Sequence, residues 1–551
     1  MNTLKNYYQL HADSNVIVLK LMTSQSVASM TIVAITFLST FFLIPWIRRR
    51  RKFVAQCMKI PGPNYESSYP WLGVIGKIFE IPKTPGKFGT PDFLSLFLEL
   101  GIEYGEYGLF RYWAFNPNRV PFARPIVMIL DPDMVADVIG PQGYGLFSKG
   151  RIMRISEPLV GDSYLALADG PEWKHQRKMS VPAFGQQMLE RTTELVADLL
   201  NKNVFPKLDQ SSGFIDIAPW MKRLTFDVLG LVAFSFSFRS TETELGKNDD
   251  NDFSSDFRAI QDSILHRSSF QYVKYLPSYI NKKSLKAQHR LNKVVDDVVT
   301  QRLESEKRHD ENSTSIKANK DLLSALMERD ENGDQLPRKK LLGNIRMFLF
   351  AGHDTTSSVV SFALWNLANH PEVQERLRIE VDSVFASNGG ASNGPSYKDI
   401  HQLAYLDAVM KESLRLDSGA GLSRECLKDV TIGKGKKKYL LPKGTVIYVY
   451  PWLIHRNELH WERPNEFIPQ RFLNENNALD ETKKLRRPFL PFSVGPRLCV
   501  GKHLAVAEFK AIIANIVHRY VLEPCSIQAH PVLKLVIHPH EVNIRLRKRR
   551  E

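Results

Sequence analysis

The stretch Pro491-Phe492-Ser493-Val494-Gly495-Pro496-Arg497-Leu498-Cys499-Val500-Gly501 decides the fold of this chain. It places one cysteine in a turn rich in glycine and proline, directly before an amphipathic segment. In that segment, apolar side chains recur at the spacing of one helical face, at Phe509, Ile512, Ile513, Ile516 and Tyr520. We therefore predict a helix that begins beside Cys499, where the helix dipole and unpaired amides favour a thiolate. Gly495 and Gly501 are expected where a β-carbon would not fit.

A single cysteine is most often a small buried apolar residue, and that interpretation applies to Cys499 taken alone. The full spacing Phe-x-x-Gly-x-Arg-x-Cys-x-Gly favours a functional cysteine over a structural one. It resembles the haem-binding loop of the cytochrome P450 family. The resemblance implies that Cys499 is the axial thiolate ligand of a haem b iron, a ligand whose electron donation favours O–O cleavage. It also implies that Phe492, Gly495 and Arg497 take part in binding the cofactor.

The composition is typical of a large globular enzyme. At 551 residues, with 43% hydrophobic and 10% aromatic residues, the chain can bury a sizeable core, which excludes wholesale disorder. Its four cysteines are far apart and show neither a disulfide framework nor the spacing of a zinc site. Such sparse cysteines suit a reducing, cytosol-facing location.

The chain is strongly basic, with a formal net charge of +15 at pH 7. Nucleic-acid binding is disfavoured as the cause, because no recognised nucleic-acid motif occurs. Part of the excess lies in two clusters, at residues 48–52 and 545–550. A membrane surface or an acidic protein partner is the better explanation.

The sequence predicts that the chain has four parts. They are a tail over 1–25, a transmembrane anchor over 26–47, a basic and proline-rich linker over 48–63, and a catalytic domain over 64–551. The anchor is an uncharged apolar run long enough to cross a bilayer, and five cationic residues follow it. By the positive-inside rule, everything after Lys52 is then cytoplasmic. A cleaved signal peptide is the alternative, but its charge would precede the apolar run and a small-residue cleavage site would follow it.

Two motifs precede the C-terminal third of the chain. Trp173 and Arg177 stand four residues apart and share one helical face, a spacing that usually means packing beside a solvated charge. The family resemblance implies instead that both contact a haem propionate. Downstream, residues 341–367 are apolar all round, which predicts a helix through the protein centre.

That central helix contains Ala351-Gly352-His353-Asp354-Thr355-Thr356. A threonine hydroxyl can bond the carbonyl four residues earlier and bend the helix, opening a groove for a small molecule. Asp354 and Thr355 then supply an acid and a hydroxyl within an apolar wall, the parts needed to relay protons. The alternative is a bent core helix whose aspartate faces water. The motif resembles the oxygen-activation motif of cytochrome P450s, which implies that Asp354 and Thr355 are catalytic.

Glu412 and Arg415 are three residues apart on a predicted helix, which on a surface would mean a weak ion pair. The resemblance implies a buried structural triad of Glu412, Arg415 and Arg471 that supports the cysteine loop. It also implies that Arg424 binds a haem propionate from a strand. Residues 416–421 (Leu-Asp-Ser-Gly-Ala-Gly) depart from the apolar, proline-containing segment usual in the family. The residues 536–546 predict a terminal hairpin with His538-Pro539-His540 at its turn.

The resemblance covers residues from about 60 onward. It implies a mainly α protein with a smaller β region, the cytochrome P450 fold, preceded by one transmembrane helix in the endoplasmic reticulum membrane. The implied function is a monooxygenase that inserts one oxygen atom from O2 into a lipophilic small molecule. NADPH–cytochrome P450 reductase would supply electrons, cytochrome b5 is a further candidate partner, and no nucleic acid is involved. The alternatives are an oxygen-independent haem-thiolate isomerase or dehydratase, and a non-catalytic membrane haem or lipid binder.

Overall fold

The computed structural model describes most of the chain beyond its N-terminal region, in the residues 39–64, 93–113, 115, 117, 123–243, 253–269, 279–311, 321–329, 333–387, 394–474 and 488–549. The predicted tail and most of the predicted anchor lie outside these residues. Within them, no helix combines the length and the apolar character that crossing a bilayer requires.

Helices dominate the described residues. They are α1 (Ile44–Cys57), α2 (Phe93–Glu103), α3 (Pro132–Ile139), α4 (Gly150–Met153), α5 (Glu157–Val160), α6 (Tyr164–Leu167), α7 (Gly170–Ser180), α8 (Gln186–Leu199), α9 (Phe205–Leu208), α10 (Ala218–Phe234), α11 (Phe253–Ser269), α12 (Tyr279–Glu311), α13 (Leu322–Met327), α14 (Arg338–Asn369), α15 (Pro371–Ser387), α16 (Tyr397–His401), α17 (Ala404–Asp417), α18 (Pro451–Ile454) and α19 (Lys502–Arg519).

The strands are short and form a smaller part of the molecule. They are β1 (Leu109–Trp113), β2 (Pro125–Ile129), β3 (Phe147–Ser148), β4 (Phe214–Asp216), β5 (Leu422–Cys426), β6 (Val430–Ile432), β7 (Tyr439–Leu441), β8 (Val446–Val449), β9 (Tyr520–Pro524), β10 (Pro531–Leu533), β11 (Ile537–Pro539) and β12 (Asn543–Lys548). The prediction of a mainly α protein with a smaller β region is therefore confirmed.

The largest sheet has five strands in the order β1-β2-β8-β5-β3. Its β2 and β8 run parallel, while β8 and β5 run antiparallel and place Arg424 opposite Ile447. Three smaller sheets pair β10 with β11, β4 with β12 and β9, and β6 with β7. The five-stranded sheet thus holds Arg424 in a fixed register beside the helical core.

The helix α14 runs through the helical core, as the apolar pattern predicts. Pro337 precedes it and Pro371 follows its end, so prolines bound it on both sides. Most of its side chains are buried, and it packs against α10, α17, α19 and α5. It is continuous from Arg338 to Asn369, without interruption at Gly352. A β-carbon at Gly352 would lie 2.7 Å from Leu229 Cδ2, so this glycine allows α14 to approach α10 closely.

The basic segment after the predicted anchor folds onto the catalytic body. Residues 44–57 form α1, whose Arg50 guanidinium lies over the Trp113 ring and donates a hydrogen bond to the Ala123 carbonyl. Pro61 O then accepts a hydrogen bond from Arg111 N at 2.7 Å, and Pro63 O accepts one from Arg111 Nη1 at 2.9 Å. The proline-rich stretch is therefore bound along β1.

The C-terminal strands are arranged differently from the sequence prediction. Residues 536–546 do not form one hairpin, because β11 pairs with β10, whereas β12 pairs with β9 and β4. His538, predicted at the turn, lies within β11 and is only 5% exposed. The apolar pattern of this segment fits either pairing, and it is packing against α14 that buries His538.

The close approach of the proline-rich stretch to β1 yields a stability prediction. A β-carbon at Gly62 would lie 2.1 Å from Arg111 O, a backbone atom that cannot move aside cheaply. Gly62→Ala should lower the free energy of unfolding by about 1–3 kcal/mol, the usual cost of overpacking. Urea denaturation measures this effect, and limited proteolysis should show faster cleavage near residue 62. Gly213→Ala, where nothing lies within 4 Å, is the control. Equal stability of the two variants would contradict the docking of this stretch.

Candidate active site

The cysteine loop is a tight turn closed by its own backbone. Cys499 N donates to Phe492 O at 3.0 Å, and Leu498 N donates to Gly495 O at 3.1 Å. Gly495 has a φ of +74°, and a β-carbon there would lie 2.3 Å from Ile139 O, so the loop needs glycine at this position. Gly501 has an ordinary φ of −85°. A β-carbon at Gly501 would approach only Phe184 Cε1, at 3.9 Å. The predicted need for glycine is therefore confirmed at 495 and wrong at 501.

Cys499 is an exposed residue on this loop, three residues before α19 begins. Surrounding protein atoms nevertheless raise the pKa of its thiol by desolvation. The Gly501 amide, Arg177 and Lys502 oppose that effect and do not overcome it. The backbone amide and the nearby cations therefore act in favour of a thiolate, as the sequence predicts, but desolvation outweighs them. A cation bonded to the sulfur would supply the missing stabilisation, because coordination by a metal deprotonates a thiol.

Several cationic side chains converge near this loop. Burial, with Arg497 and Arg424 nearby, lowers the pKa of Lys149 to about 7. Burial and Arg497 likewise lower the pKa of Arg424 to about 10. The carboxylate that partly offsets these charges is Asp169, which accepts a hydrogen bond from Arg497 Nη2 at 2.6 Å. The site therefore carries more positive than negative charge at buried positions.

This excess positive charge fits a dianionic group such as the two propionates of haem. Arg497 Nη1 is buried and has no hydrogen-bond partner among the described residues. Arg424 is 7% exposed, and its Nη1 donates a hydrogen bond to the neighbouring Ser423 carbonyl at 2.8 Å. Buried guanidinium groups are costly unless they meet an anion, and carboxylates are their preferred partners. The residues present thus fit the cofactor that the cysteine loop implies.

Trp173 and Arg177 lie on one face of α7, with the Arg177 guanidinium 5.9 Å from the Trp173 ring. Trp173 is buried, and Arg497 lies over its ring at 4.2 Å. Arg177 Nη1 donates to Leu498 O at 2.8 Å, inside the cysteine loop. The structure therefore brings Trp173, Arg177 and Arg497 together around one turn of chain.

Asp354 and Thr355 lie in the middle of α14. Thr355 Oγ1 donates to Ala351 O at 2.7 Å, the bond to the preceding turn that the sequence predicts. Asp354 is 1% exposed, so the interpretation in which its carboxylate faces water is wrong. Burial raises the pKa of Asp354, but His538, Lys222 and His353 outweigh burial and hold the pKa well below its usual range.

The predicted triad forms one buried cluster. Glu412 accepts two hydrogen bonds from Arg415, both at 2.8 Å, and one from Arg471 Nε at 3.0 Å. The side chains of Glu412 and Arg415 are fully buried. Arg415 also donates to the carbonyls of His455 and Pro464. The helix α17 thus binds two separate segments of the chain that follows it, one at His455 and one at Pro464.

His455 connects this cluster to the cysteine loop. Its Nε2 accepts a hydrogen bond from Leu490 N at 2.9 Å, and its Nδ1 lies 3.1 Å from Arg415 O. Burial and the neighbouring Arg415 lower the pKa of His455 to about 3, so the ring is neutral. Because Nε2 accepts, Nδ1 carries the proton and donates to Arg415 O. The orientation of residue 490, which opens the cysteine loop, is therefore fixed from Arg415.

The departure at residues 416–421 has a packing reason. Gly419 O accepts a hydrogen bond from Ile537 N at 3.0 Å, and a β-carbon at Gly419 would lie 2.7 Å from Val536 Cγ1. A β-carbon at Gly421 would lie 2.7 Å from the Tyr450 ring. The small residues here allow β11 and Tyr450 to approach the backbone closely.

Sequence reasoning missed several residues of the site: Lys149, Asp169, Lys222, Gln261, His455 and His538. No spacing in the sequence marks Lys149 or Lys222, because each comes from an element far from the motifs. His455 offered a signal, since it precedes the segment that carries Arg471. His538 would have been recognised only if His538-Pro539-His540 had been assigned to a strand instead of a turn.

Comparisons with known proteins agree with this geometry. The sequence profile of the family described as Cytochrome P450 matches residues 120–543. Cytochrome P450 3A12 of Canis lupus familiaris is 28% identical over 446 residues, which is 77% of this chain and 80% of the relative. Steroid 17-alpha-hydroxylase/17,20 lyase of Felis catus is 27% identical and covers 89% of this chain and 94% of the relative.

Among solved structures, the crystal structure of the cytochrome P450DA heme domain is similar in fold. The TM-score is 0.70 at 23% sequence identity, covering 89% of this chain and 98% of that chain. At this identity the likeness concerns the fold alone. The expected cytochrome P450 fold is therefore confirmed.

The buried cluster predicts a large effect from an isosteric change. Glu412→Gln removes the negative charge that Arg415 and Arg471 share, and should lower the free energy of unfolding by about 3–5 kcal/mol, as for other buried pairs that lose one partner. Urea denaturation of both proteins provides the measurement. Glu466→Gln is the matched control, because Glu466 pairs with Arg463 at the surface and its side chain is 52% exposed. That variant should unfold like the parent protein. A Glu412→Gln protein as stable as its control would refute the structural role of the cluster.

Proposed function

The chain belongs to the cytochrome P450 family, whose members are haem-thiolate monooxygenases, and we propose that Cys499 binds the iron of haem b in it. The proposal rests on one observation: an exposed cysteine on a glycine-dependent loop lies beside buried cations that exceed the nearby carboxylates in charge. Oxygen insertion into a lipophilic small molecule, with reduction of the second oxygen atom to water, is the reaction that this arrangement supports. The electrons would come from NADPH through a reductase.

Each cofactor-binding residue has a role that follows from its contacts. Thiolate-ligated haem supplies, when bound, an iron whose electron-rich axial ligand favours O–O cleavage. Arg497 and Arg424 would bind the propionates, with Trp173 and Arg177 completing that wall of the site. Phe492 and Gly495 would shape the loop so that the Cys499 sulfur faces the iron. Lys149, which sequence reasoning missed, would add a third cation to the propionate region.

Asp354 and Thr355 would manage protons on the opposite wall of the site. The Thr355 hydroxyl is half-buried on α14 and already donates to Ala351 O, so its oxygen can accept a hydrogen bond from a neighbouring group. The Asp354 carboxylate is buried and anionic, and because its pKa is held low it would release a transferred proton again readily. This intact acid–alcohol pair favours a monooxygenase over an oxygen-independent isomerase or dehydratase, and over a non-catalytic binder.

The substrate would be a lipophilic small molecule of the steroid, terpenoid, fatty-acid or xenobiotic classes. Support comes from the apolar core that surrounds α14 and from the relative named as a steroid hydroxylase. The choice among these classes would depend on the loops that border the site, because binding residues concentrate on loops.

Electron donors would dock on the outer face of α7. A groove of about 370 Å³ opens there, lined by Trp173, Lys174, Arg177, Lys178, Val181 and Pro182. Lys174 and Lys178 are exposed, and Arg177 reaches from the groove to the Leu498 carbonyl. A cationic surface this close to the cysteine loop would attract an acidic flavin domain, so we expect NADPH–cytochrome P450 reductase here, with cytochrome b5 as a competitor.

An N-terminal anchor over 26–47 would hold the catalytic domain at the cytosolic face of the endoplasmic reticulum membrane. Its last residues remain apolar and exposed where they are described, with Phe41 at 62% and Phe42 at 63%. The cationic residues of α1 follow immediately, where anionic lipid headgroups would attract them. Docking of α1 against Trp113 would fix the distance between the membrane and the site.

Substituting the proposed ligand tests the function directly. Cys499→Ser should abolish the strongly red-shifted absorption of the reduced, carbon-monoxide-treated protein and its NADPH-dependent turnover, because serine offers no thiolate. Cys525→Ser, which changes a half-buried cysteine elsewhere, should leave both unchanged. Retained red-shifted absorption in Cys499→Ser would exclude Cys499 as the ligand and end the proposal.

Charge reversal on α7 tests the partner surface. Lys174→Glu/Lys178→Glu should slow reduction by the reductase about tenfold or more at low ionic strength, with a smaller effect at high salt, because steered association depends on screening. The control Lys283→Glu/Lys286→Glu reverses two exposed charges on α12. Equal reduction rates for both double variants at low salt would place the docking surface elsewhere.

A further inference from the structure

His538 reaches the oxygen-activation motif from a part of the chain that sequence reasoning assigned to a turn. It lies on β11 and is 5% exposed. Its Nε2 is 3.2 Å from Asp354 Oδ2, and its Nδ1 is 2.8 Å from Ser358 Oγ. Both partners belong to α14, one turn apart. A single imidazole therefore contacts the carboxylate and a hydroxyl on the same helical face.

Ser358 allows this imidazole to exist in two protonation states. Its hydroxyl lies 2.8 Å from the Asp354 backbone carbonyl as well as 2.8 Å from His538 Nδ1, and a hydroxyl has only one proton to donate. When it donates to Nδ1, His538 is neutral and carries its proton on Nε2. When it donates to the carbonyl, Oγ accepts from Nδ1–H, and His538 is either an imidazolium or the neutral ring that has given up its Nε2 proton. Nδ1 has a partner in each state, whereas Nε2 has no aligned hydrogen-bond partner among the described residues and has Asp354 Oδ2 as its neighbour at 3.2 Å.

The surrounding charges act on the imidazolium in opposite directions. Burial lowers the pKa of His538 below its ordinary value, while Asp354 opposes that effect and Lys222 and Lys534 reinforce it. Lys222 on α10 lies 3.9 Å from Asp354 Oδ1, and Lys534 is paired with Asp262 at 2.7 Å. The remaining group is His353, whose own pKa burial lowers. Gln261 on α11 contributes a neutral hydrogen bond to Asp354 Oδ2 at 3.0 Å.

We propose that His538, with Ser358 as its hydroxyl partner, is a positioning residue that orients Asp354 and exchanges a proton with it during turnover. In the exchange, the Nε2–H bond of the imidazolium breaks and an O–H bond forms on Asp354 Oδ2. The ring is then neutral with its remaining proton on Nδ1, which still donates to Ser358 Oγ. A proton from solvent water restores the imidazolium. This inference rests on the proposed function, because it concerns how Asp354 is supplied with protons.

Placement of His538 depends on the unusual segment before β5. Ile537, its neighbour on β11, is hydrogen-bonded to the Gly419 carbonyl, and no side chain fits at residue 419. The glycine that replaces the family's usual residues is therefore what allows β11 to lie against α14. The close packing of residues 416–421 against β11 therefore also places His538 beside α14.

His538→Gln is the first test, since glutamine keeps a donor for Asp354 but cannot be protonated. In the parent protein, the fraction of NADPH electrons recovered in product should fall as pH rises from about 5.5 to 8, with the decline on the acid side of neutrality because the His538 pKa is low. His538→Gln should lose this decline and recover about tenfold less product per NADPH, less than the loss for a direct general acid. KM and the carbon-monoxide spectrum should stay unchanged. An unaltered pH profile in this variant overturns the inference.

His540→Gln is the matched control, because His540 follows β11 by one residue and lies next to Glu541, away from Asp354. His540 is exposed, so His540→Gln should keep the parent pH profile. If His538→Gln does not fold, Ser358→Ala provides the second variant, since alanine removes the partner that the imidazolium needs. It should shift the decline in product recovery to lower pH. A parent-like profile in Ser358→Ala overturns the role of the hydroxyl and with it the inference.

Titration of the ring separates this inference from the proposed function. The imidazole resonance of His538, assigned in histidine-labelled protein by its loss in His538→Gln, should titrate at lower pH in Asp354→Asn, because the stabilising carboxylate is gone. No shift in Asp354→Asn overturns the pairing. This measurement needs no catalysis, so the pairing would stand even if Cys499→Ser showed the proposed function to be wrong.

Discussion

Full burial of the Glu412 carboxylate between Arg415 and Arg471 is the constraint on which the cysteine loop and its supporting segments depend. A charge in such a place is stable only when its hydrogen-bonding capacity is filled, and here it is filled by both arginines and by Ile468 N at 2.8 Å. Arg415 also donates hydrogen bonds to backbone carbonyls, including that of His455. The His455 ring in turn accepts a hydrogen bond from Leu490 N. The cysteine loop has little regular structure, so it takes its shape from this network and from its contact with Ile139.

Sequence reasoning predicted the parts of the molecule that local pattern controls. The central helix and the helix after Cys499 follow from periodicity, and the motif order indicated the fold. It failed where long-range packing decides. Residues 536–546 have a pattern that fits several pairings, and only the space left by Gly419 selects the observed one. Lys149 and Lys222 could not be predicted as site residues, because the role of a lysine depends on the groups that surround it in the folded chain.

Electrostatics separates the two walls of the site. On one wall, Arg424 is buried, Arg497 and Lys149 are partly buried, and the carboxylates beside them are too few, which suits an anionic group supplied from outside the chain. On the other wall, Asp354 is surrounded by its own partners, so its charge is balanced within the protein. The roles proposed for the two walls, binding an anionic cofactor and transferring protons, agree with this difference. The difference itself depends on which charges lie close together in the folded chain, and the sequence does not show that.

The absence of a side chain at Gly419 has a consequence for how this protein can diversify. Residues on the surface of a protein usually change with little effect on their neighbours. Here, enlarging residue 419 would displace β11 and carry His538 away from α14. A single substitution in the segment 416–421 would therefore also change the surroundings of Asp354, on the far side of β11.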